Sequence, residues 1–345
     1  MEEPPMASFS ASLLLRPIVA VARVVAVVAV SSCASSSPTP AAPPAAAAAP
    51  PADEPPPGIG KRDDTAVLGP FGTGPVKLLA HQSAEYSAKV NSWLIEGPTE
   101  IGLVDAQLVV PEGQKVVELI KSRGKKLAWV FVTHSHPDHY IGLDAIAAAF
   151  PDTPRYARPE TAVEAPALFK AYERPLQRFY KGQLPTTPAT LEPFTGDTLR
   201  VDGVEVKIID LQGGEHTTQT MLHIPSMRAL LIADLVYNRV HPWTNELDVD
   251  GIFGHMDALS ARTDVDIFYP GHGEPFDKGY IPVYRAYLDT FLADVAVAKD
   301  SKDLINITWR KNRDWRTMAG LRFSAEAHIE ARDKKAKEEA AAATP

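Results

Sequence analysis

The run Thr133-His134-Ser135-His136-Pro137-Asp138-His139 crowds four metal-capable side chains into six positions. It follows directly on Leu127-Ala128-Trp129-Val130-Phe131-Val132, an apolar stretch that reads as a β-strand. Residues two apart on leaving a strand point the same way, so His134 and His136 share a face, while Pro137 favours a turn into a helix. Asp138 and His139 would then open that helix and aim back at the strand end. Polar groups gathered at such a junction must be satisfied. The spacing points to metal chemistry rather than to a core or a plain solvated loop. The chain has one cysteine, Cys33, which excludes an intrachain disulfide, a zinc ribbon and any thiolate cluster. The ligands must therefore be nitrogen and oxygen.

Such a cluster needs strand ends to hold it. Short apolar or β-branched runs recur: KLLA (77–80), VNSWLIE (90–96), IGLVDA (101–106), LAWVFV (127–132), VEVKIID (204–210), TMLHIP (220–225), RALLIA (228–233) and VDIFYP (265–270). Between some of them lie helix-like stretches such as VVELIKSRG and LDAIAAAF. Turn signals at Glu96-Gly97-Pro98 and Pro225-Ser226 pair the strands, and helices intervene less regularly than in a doubly wound array. The expectation is two mixed sheets packed together with helices outside. The stretch 158–184 is helix-like with Phe169, Tyr172, Phe179 and Tyr180 at roughly helical spacing, and reads as an outer helix pair in preference to a lid over the site. Residues 284–297 read as a C-terminal helix.

The string HSHPDH resembles the HxHxDH signature of the metallo-β-lactamase-fold hydrolases, and the resemblance extends over roughly residues 70–290. His216 in the Gly-rich turn after VEVKIID, Asp234 closing ALLIAD, His272 in the PGHG setting after VDIFYP, and Asp105 closing IGLVDA all stand in the family's order. The resemblance implies an α/β fold, a four-layer αββα sandwich of two mixed sheets, with two divalent metal ions at one edge. His134, His136 and His216 would hold the first, Asp138, His139 and His272 the second, and Asp234 would bridge them. Asp105 would orient a ligand histidine through its other ring nitrogen. Zinc is the expected ion, with iron or manganese as alternatives. The implied chemistry is attack by a metal-bridging hydroxide on an ester, lactone, amide or thioester carbonyl of a small-molecule substrate, Asp138 orienting the nucleophile. Tyr237 stands three residues beyond the bridging acid, as in N-acyl homoserine lactonases, where a phenol could donate to an oxyanion. Tyr140, Asn238, His241 and Trp243 are candidates to shape the pocket. Glu215, before the third expected ligand, departs from the family pattern by adding an acid. The missing cysteine ligand together with Asp234 disfavours antibiotic hydrolysis, and the rivals are a lactonase, then a β-lactamase, then a non-catalytic periplasmic metal-binding protein.

The 45 % hydrophobic content supplies a core, and the formal charge of −8 offers no basic footprint for nucleic acid. Residues 1–33 read as an export signal, and Val30-Ser31-Ser32-Cys33 resembles the lipobox at which bacterial lipoproteins are lipidated. Residues 34–62 form a Pro/Ala-rich tether, 63–330 the hydrolase domain and 331–345 a low-complexity tail. The expected location is exported, periplasmic or at the cell surface, anchored to membrane through a lipid on Cys33.

Overall fold

The computed structural model describes residues 64–342. The expected export signal with Cys33 and the Pro/Ala-rich tether lie outside these residues. Strands β1 (Ala66–Phe71), β2 (Lys77–Gln82), β3 (Asn91–Glu96), β4 (Glu100–Val104), β5 (Lys126–Val132), β6 (Arg155–Ala157) and β7 (Glu192–Pro193) form one sheet in sequential order. It is antiparallel from β1 to β4 and parallel from β4 to β7. Strands β8 (Thr198–Val201), β9 (Val204–Gln212), β10 (Thr218–Ile224), β11 (Ala229–Leu231) and β12 (Ile267–Tyr269) form the second sheet, antiparallel except for the β11–β12 pair. Both sheets are mixed, as the sequence pattern suggests. The helices are α1 (Val110–Ser122), α2 (Pro137–Tyr140), α3 (Leu143–Ala149), α4 (Pro159–Phe179), α5 (Val249–Ala261), α6 (Ile281–Val297), α7 (Ser301–Lys311) and α8 (Met318–Ala342).

The alternation of strand side chains builds the layers. Leu79, Leu94 and Val130 pack outward against Val116 and Ile120 of α1, Ile146 of α3 and Phe169 of α4. Their neighbours Leu78, Trp93, Ile95 and Phe131 point inward, against Val206, Ile208, Leu222 and Ile224 of the second sheet. That sheet's outer face, through Met221, Leu230 and Phe268, meets Ile252, Met256, Tyr284, Leu288, Leu304 and Leu321 from α5 to α8. The order is helix, sheet, sheet, helix. Phe131 is fully buried between the sheets, and replacing it by alanine would cost about 3–5 kcal/mol.

Two expectations need correction. Residues 158–184 hold one long helix, α4, rather than a pair. Pro166 and Pro175 lie inside it on the exposed side, where water can satisfy carbonyls that lose an N–H partner. At the other end, α8 runs on past the boundary expected at residue 330. Ile329 is buried, and Arg332 donates to the carbonyls of Val295 (2.8 Å) and Ala298 (2.6 Å), tying α8 to the end of α6. Among the described residues, no helix is long and apolar enough to cross a membrane.

Candidate metal centre

The candidate ligands all stand at strand ends or in the turns that follow. His134 and His136 leave β5, and α2 begins at Pro137, so Asp138 and His139 fall in its first turn. Asp105 follows β4, Asp234 follows β11, His272 follows β12, and Glu215 and His216 lie in the β9–β10 turn. Gly213 and Gly214 make that turn at φ +75° and +91°, and a Cβ on Gly213 would meet Asp248 Oδ2 at 2.7 Å. Asp105 and Ala233 also hold positive φ, 65° and 47°. Backbone strain of this kind is found where a site is over-determined by its surroundings.

One half of the centre gathers Asp138, His139, Asp234 and His272. Asp105 accepts from Thr133 N at 2.8 Å and from Thr133 Oγ1 at 3.0 Å, and its Oδ2 lies 2.9 Å from His139 Nδ1. An ionised carboxylate only accepts. His139 Nδ1 therefore carries a proton, and Nε2 faces Asp234 Oδ2 at 3.2 Å and Asp138 Oδ2 at 3.7 Å. His272 Nδ1 donates to the Ala88 carbonyl at 2.7 Å, and its Nε2 lies 3.1 Å from Asp234 Oδ2 and 3.3 Å from Asp138 Oδ2 without a hydrogen bond to either. The loop carrying His272 is held by Asn91 Nδ2, which donates to the carbonyls of Pro270 (3.0 Å) and Gly273 (2.7 Å), and by Trp93 Nε1, which donates to Pro270 (2.8 Å).

The other half brings His134 Nε2 within 3.2 Å of His136 Nδ1. Glu215, buried, sets Oε1 2.9 Å from His136 Nδ1 and Oε2 3.7 Å from His134 Nε2. Glu246 Oε1 lies 3.1 Å from His136 Nε2 and 3.9 Å from His216 Nδ1. His216 Nε2 lies 2.7 Å from Ser135 Oγ and 3.1 Å from Glu164 Oε2.

Both halves suit divalent metal ions. Buried Asp234 Oδ1, Glu215 Oε2, His216 Nδ1 and His272 Nε2 have no hydrogen-bond partner, and such atoms are costly unless a cation meets them. With protons as the only cations, the same demand shows in titration. Burial alone would depress His139 and His272, but Asp234, with Asp105 and Asp138, lifts His139 well above its ordinary value, and Asp234 with Asp138 lifts His272 to about 10. Burial lowers His134 well below the usual range, reinforced by His139 and His136. Burial also raises Glu215 to about 7 against the opposing pull of His136. Clusters of imidazole and carboxylate with shifts in both directions mark functional sites.

The metallo-beta-lactamase superfamily profile matches residues 88–272, more than half of the chain and the whole span of these ligands. The chain belongs to that superfamily. The fold agrees with solved members. A beta-lactamase domain protein from Burkholderia ambifaria superposes with a TM-score of 0.56 at 19 % identity, covering 77 % of this chain and 88 % of that one. A metallo-beta-lactamase family protein from Thermus thermophilus gives 0.52 at 19 % identity, covering 76 % and 94 %. The uncharacterized protein YobT of Bacillus subtilis (strain 168) is 38 % identical over 63 residues, which is 18 % of this chain and 26 % of that relative's length.

Beside these candidate ligands opens a cavity of about 140 Å³. Its polar floor is His136, Asp138, Glu215, Asp234 and Tyr237. Its walls are apolar: Tyr172, Leu176 and Phe179 from α4, Ala319 and Phe323 from α8, and Trp243 between them. Tyr237 donates to Asp234 Oδ2 at 2.6 Å and stacks on His272 at 4.7 Å between centroids. Of the other pocket candidates, only Trp243 lines this cavity. Tyr140 is buried and donates to the Ala189 carbonyl at 2.6 Å. His241 pairs with Tyr287 (2.8 Å), and Asn238 Nδ2 donates to the Glu274 carbonyl (2.9 Å). The sequence reading missed Glu246, Glu164 and Ser135. Ser135 lies inside the recognised motif, whereas Glu246 comes from a loop and Glu164 from a helix face with no pattern to mark them.

Proposed function

We propose that the chain is a binuclear metal-dependent hydrolase acting on the carbonyl of an uncharged, largely apolar acyl substrate. The observation that carries the reading is the cavity itself: apolar walls meet a floor of imidazoles and carboxylates, and no lysine or arginine lines it. Beyond the ions of the floor, an anionic substituent on the substrate would find no charged partner on the walls. An ester, lactone, amide or thioester with an apolar acyl group fits it, and a neutral N-acyl homoserine lactone is a natural first probe.

Asp138, His139, Asp234 and His272 would hold one ion, and the His134–His136 side the other. When bound, two such ions lower the pKa of a water between them and polarise the bond under attack. The protein's own part is positional. Asp105 and the Ala88 carbonyl fix the rings of His139 and His272, Asp138 is placed to take a proton and pass it to the leaving group, and the aromatic wall excludes water. Tyr237 could donate to the carbonyl oxygen only by turning its proton away from Asp234. In keeping with Val30-Ser31-Ser32-Cys33, the reading also places the enzyme outside the cytoplasm, on a membrane lipid anchor.

The test is a panel of acetyl and decanoyl esters, thioesters and amides, acyl homoserine lactones, a phosphodiester and a β-lactam, with zinc, manganese or iron added back after chelation. Burying extra methylenes at ~0.8 kcal/mol each should favour decanoyl over acetyl substrates by at least about tenfold in kcat/KM. No turnover with any metal on any substrate would sink the hydrolase reading.

A further inference from the structure

The rim of the apolar cavity keeps two large rings in water. Phe179, at the end of α4, is 59 % exposed and Phe323, on α8, is 40 % exposed, and both line the cavity. Exposed rings gathered at the mouth of an apolar cleft mark a surface that meets a partner or a membrane. Charge and chain path point to the membrane.

Lys170, Arg174 and Arg178 stand four residues apart along α4, and Lys181 follows its end; all four are exposed. The opposite face of the helix turns inward, with Ala165 and Phe169 buried and Tyr172 and Leu176 lining the cavity. The cations therefore form a stripe on the outward face of the same helix that walls the cavity. From 170 to 181 they meet one acid, Glu173, paired with Lys170 at 3.0 Å, in a chain whose formal charge is −8. A basic stripe beside exposed rings is complementary to an anionic bilayer surface.

The chain also enters the fold at this rim. Asp64 pairs with Lys89 at 2.9 Å and with Arg316 at 2.8 Å, and accepts from Glu85 N at 2.8 Å. Lys89 adjoins Ala88 and Arg316 stands three residues before Ala319, and both of these alanines line the cavity. The segment that follows Cys33 thus joins the folded body beside the cavity mouth.

From this placement we infer that the mouth framed by Phe179, Phe323 and the α4 cations docks on an anionic lipid bilayer, so that an acyl substrate dissolved there enters the cavity without crossing water. The substrate half rests on the proposed hydrolase function, whereas the docking stands apart from it. A lipid on Cys33 would hold the chain near a membrane; docking turns the mouth to face it.

Trp243 reports on the mouth. It lines the cavity with its ring centroid 5.4 Å from that of Phe323, whereas Trp93, Trp129, Trp309 and Trp315 are buried in the core. Residues 1–63 contain no tryptophan, so attachment through that segment alone gives no signal. The full chain is titrated with vesicles of phosphatidylcholine, alone or mixed with phosphatidylglycerol, whose acyl chains carry bromine as a contact quencher of indole. The fluorescence that Trp243→Phe removes should be quenched on the anionic vesicles and return as salt is raised. Arg174→Gln combined with Arg178→Gln should weaken vesicle binding about fivefold per charge, about 25-fold in all, and leave turnover of a soluble acetyl ester unchanged. Phe179→Ser should reduce the quenching while its thermal melt matches wild type. Absent quenching, equal quenching on neutral vesicles, or binding unmoved by the arginine pair would overturn the docking, even with soluble esters turned over and the hydrolase reading intact. Quenching in a chain without turnover would support the docking and remove its substrate half.

Discussion

Asp105→Asn tests whether a tautomer, rather than a mere contact, organises the second half of the centre. Asparagine tolerates the positive φ of 65° at this position, so the backbone can stay as it is. Its oxygen can still accept from Thr133 N, now 2.8 Å from Asp105 Oδ1. Its NH₂ would replace the Oδ2 that lies 2.9 Å from His139 Nδ1. Two donors would then face one another unless His139 gives up its Nδ1 proton. The neutral ring would have to protonate Nε2, the atom aimed at Asp234 and Asp138, and so lose the lone pair that a metal needs. The charge-assisted hydrogen bond removed is worth ~1.5–3 kcal/mol. At about 1.36 kcal/mol per tenfold, one metal should bind roughly 10–100-fold more weakly, the range measured for outer-partner losses elsewhere. Competition with a chromophoric chelator reads the affinity, and a thermal melt in excess chelator checks that the fold survives. An unchanged dissociation constant in a folded Asp105→Asn would refute the tautomer argument.

Glu112 is buried beneath His81 (2.7 Å), Tyr86 (3.1 Å) and Lys115 (3.2 Å). Burial alone would raise its pKa, but His81 and Lys115 hold it below the ordinary 4.5. A folded-state value below the unfolded one contributes stability that is full above the unfolded pKa and is lost as pH falls through the folded pKa. Glu112→Gln should therefore cost ~1.5–3 kcal/mol at neutral pH, the worth of hydrogen bonds to a charged group, with the gap to wild type closing in acid; urea melts showing a constant gap would count against the pairing. Phe323→Ala opens the apolar wall, so kcat/KM should fall roughly tenfold or more for decanoyl substrates and little for acetyl ones; equal losses on both would remove Phe323 from substrate contact. Cys33→Ser should release the protein from the membrane fraction, and unchanged fractionation would end the lipid-anchor proposal.

The fold and most of the centre were legible because their signals are local. HSHPDH sits in one strand-to-helix junction, and alternation in NSWLIE or LAWVFV marks a strand whose two faces both meet apolar layers. β6 and β7 were not read because two or three residues carry no periodicity. Residues 158–184 read as a helix pair, whereas one helix continues through Pro166 and Pro175. Glu246 and Glu164 were invisible for another reason: they stand 110 and 52 residues from the histidines they touch. Glu215 was noticed as an anomaly, but its direction depends on the Gly213-Gly214 turn. Similarly, nothing in the sequence told that His81 would bury itself against Glu112.

The clasp that Asn91 and Trp93 place on residues 270–273 spans 177 to 182 residues of chain. Contacts of that separation form late, because a long loop must close before they return any stabilisation. His272 gains its orientation only when this clasp shuts. A nascent or C-terminally truncated chain would thus carry HSHPDH intact yet lack a properly formed second cation site. Metal loading becomes a report on completed folding, and a divalent ion captured there would act as a latch, slowing release of the last strand more than it speeds the collapse of the first sheet.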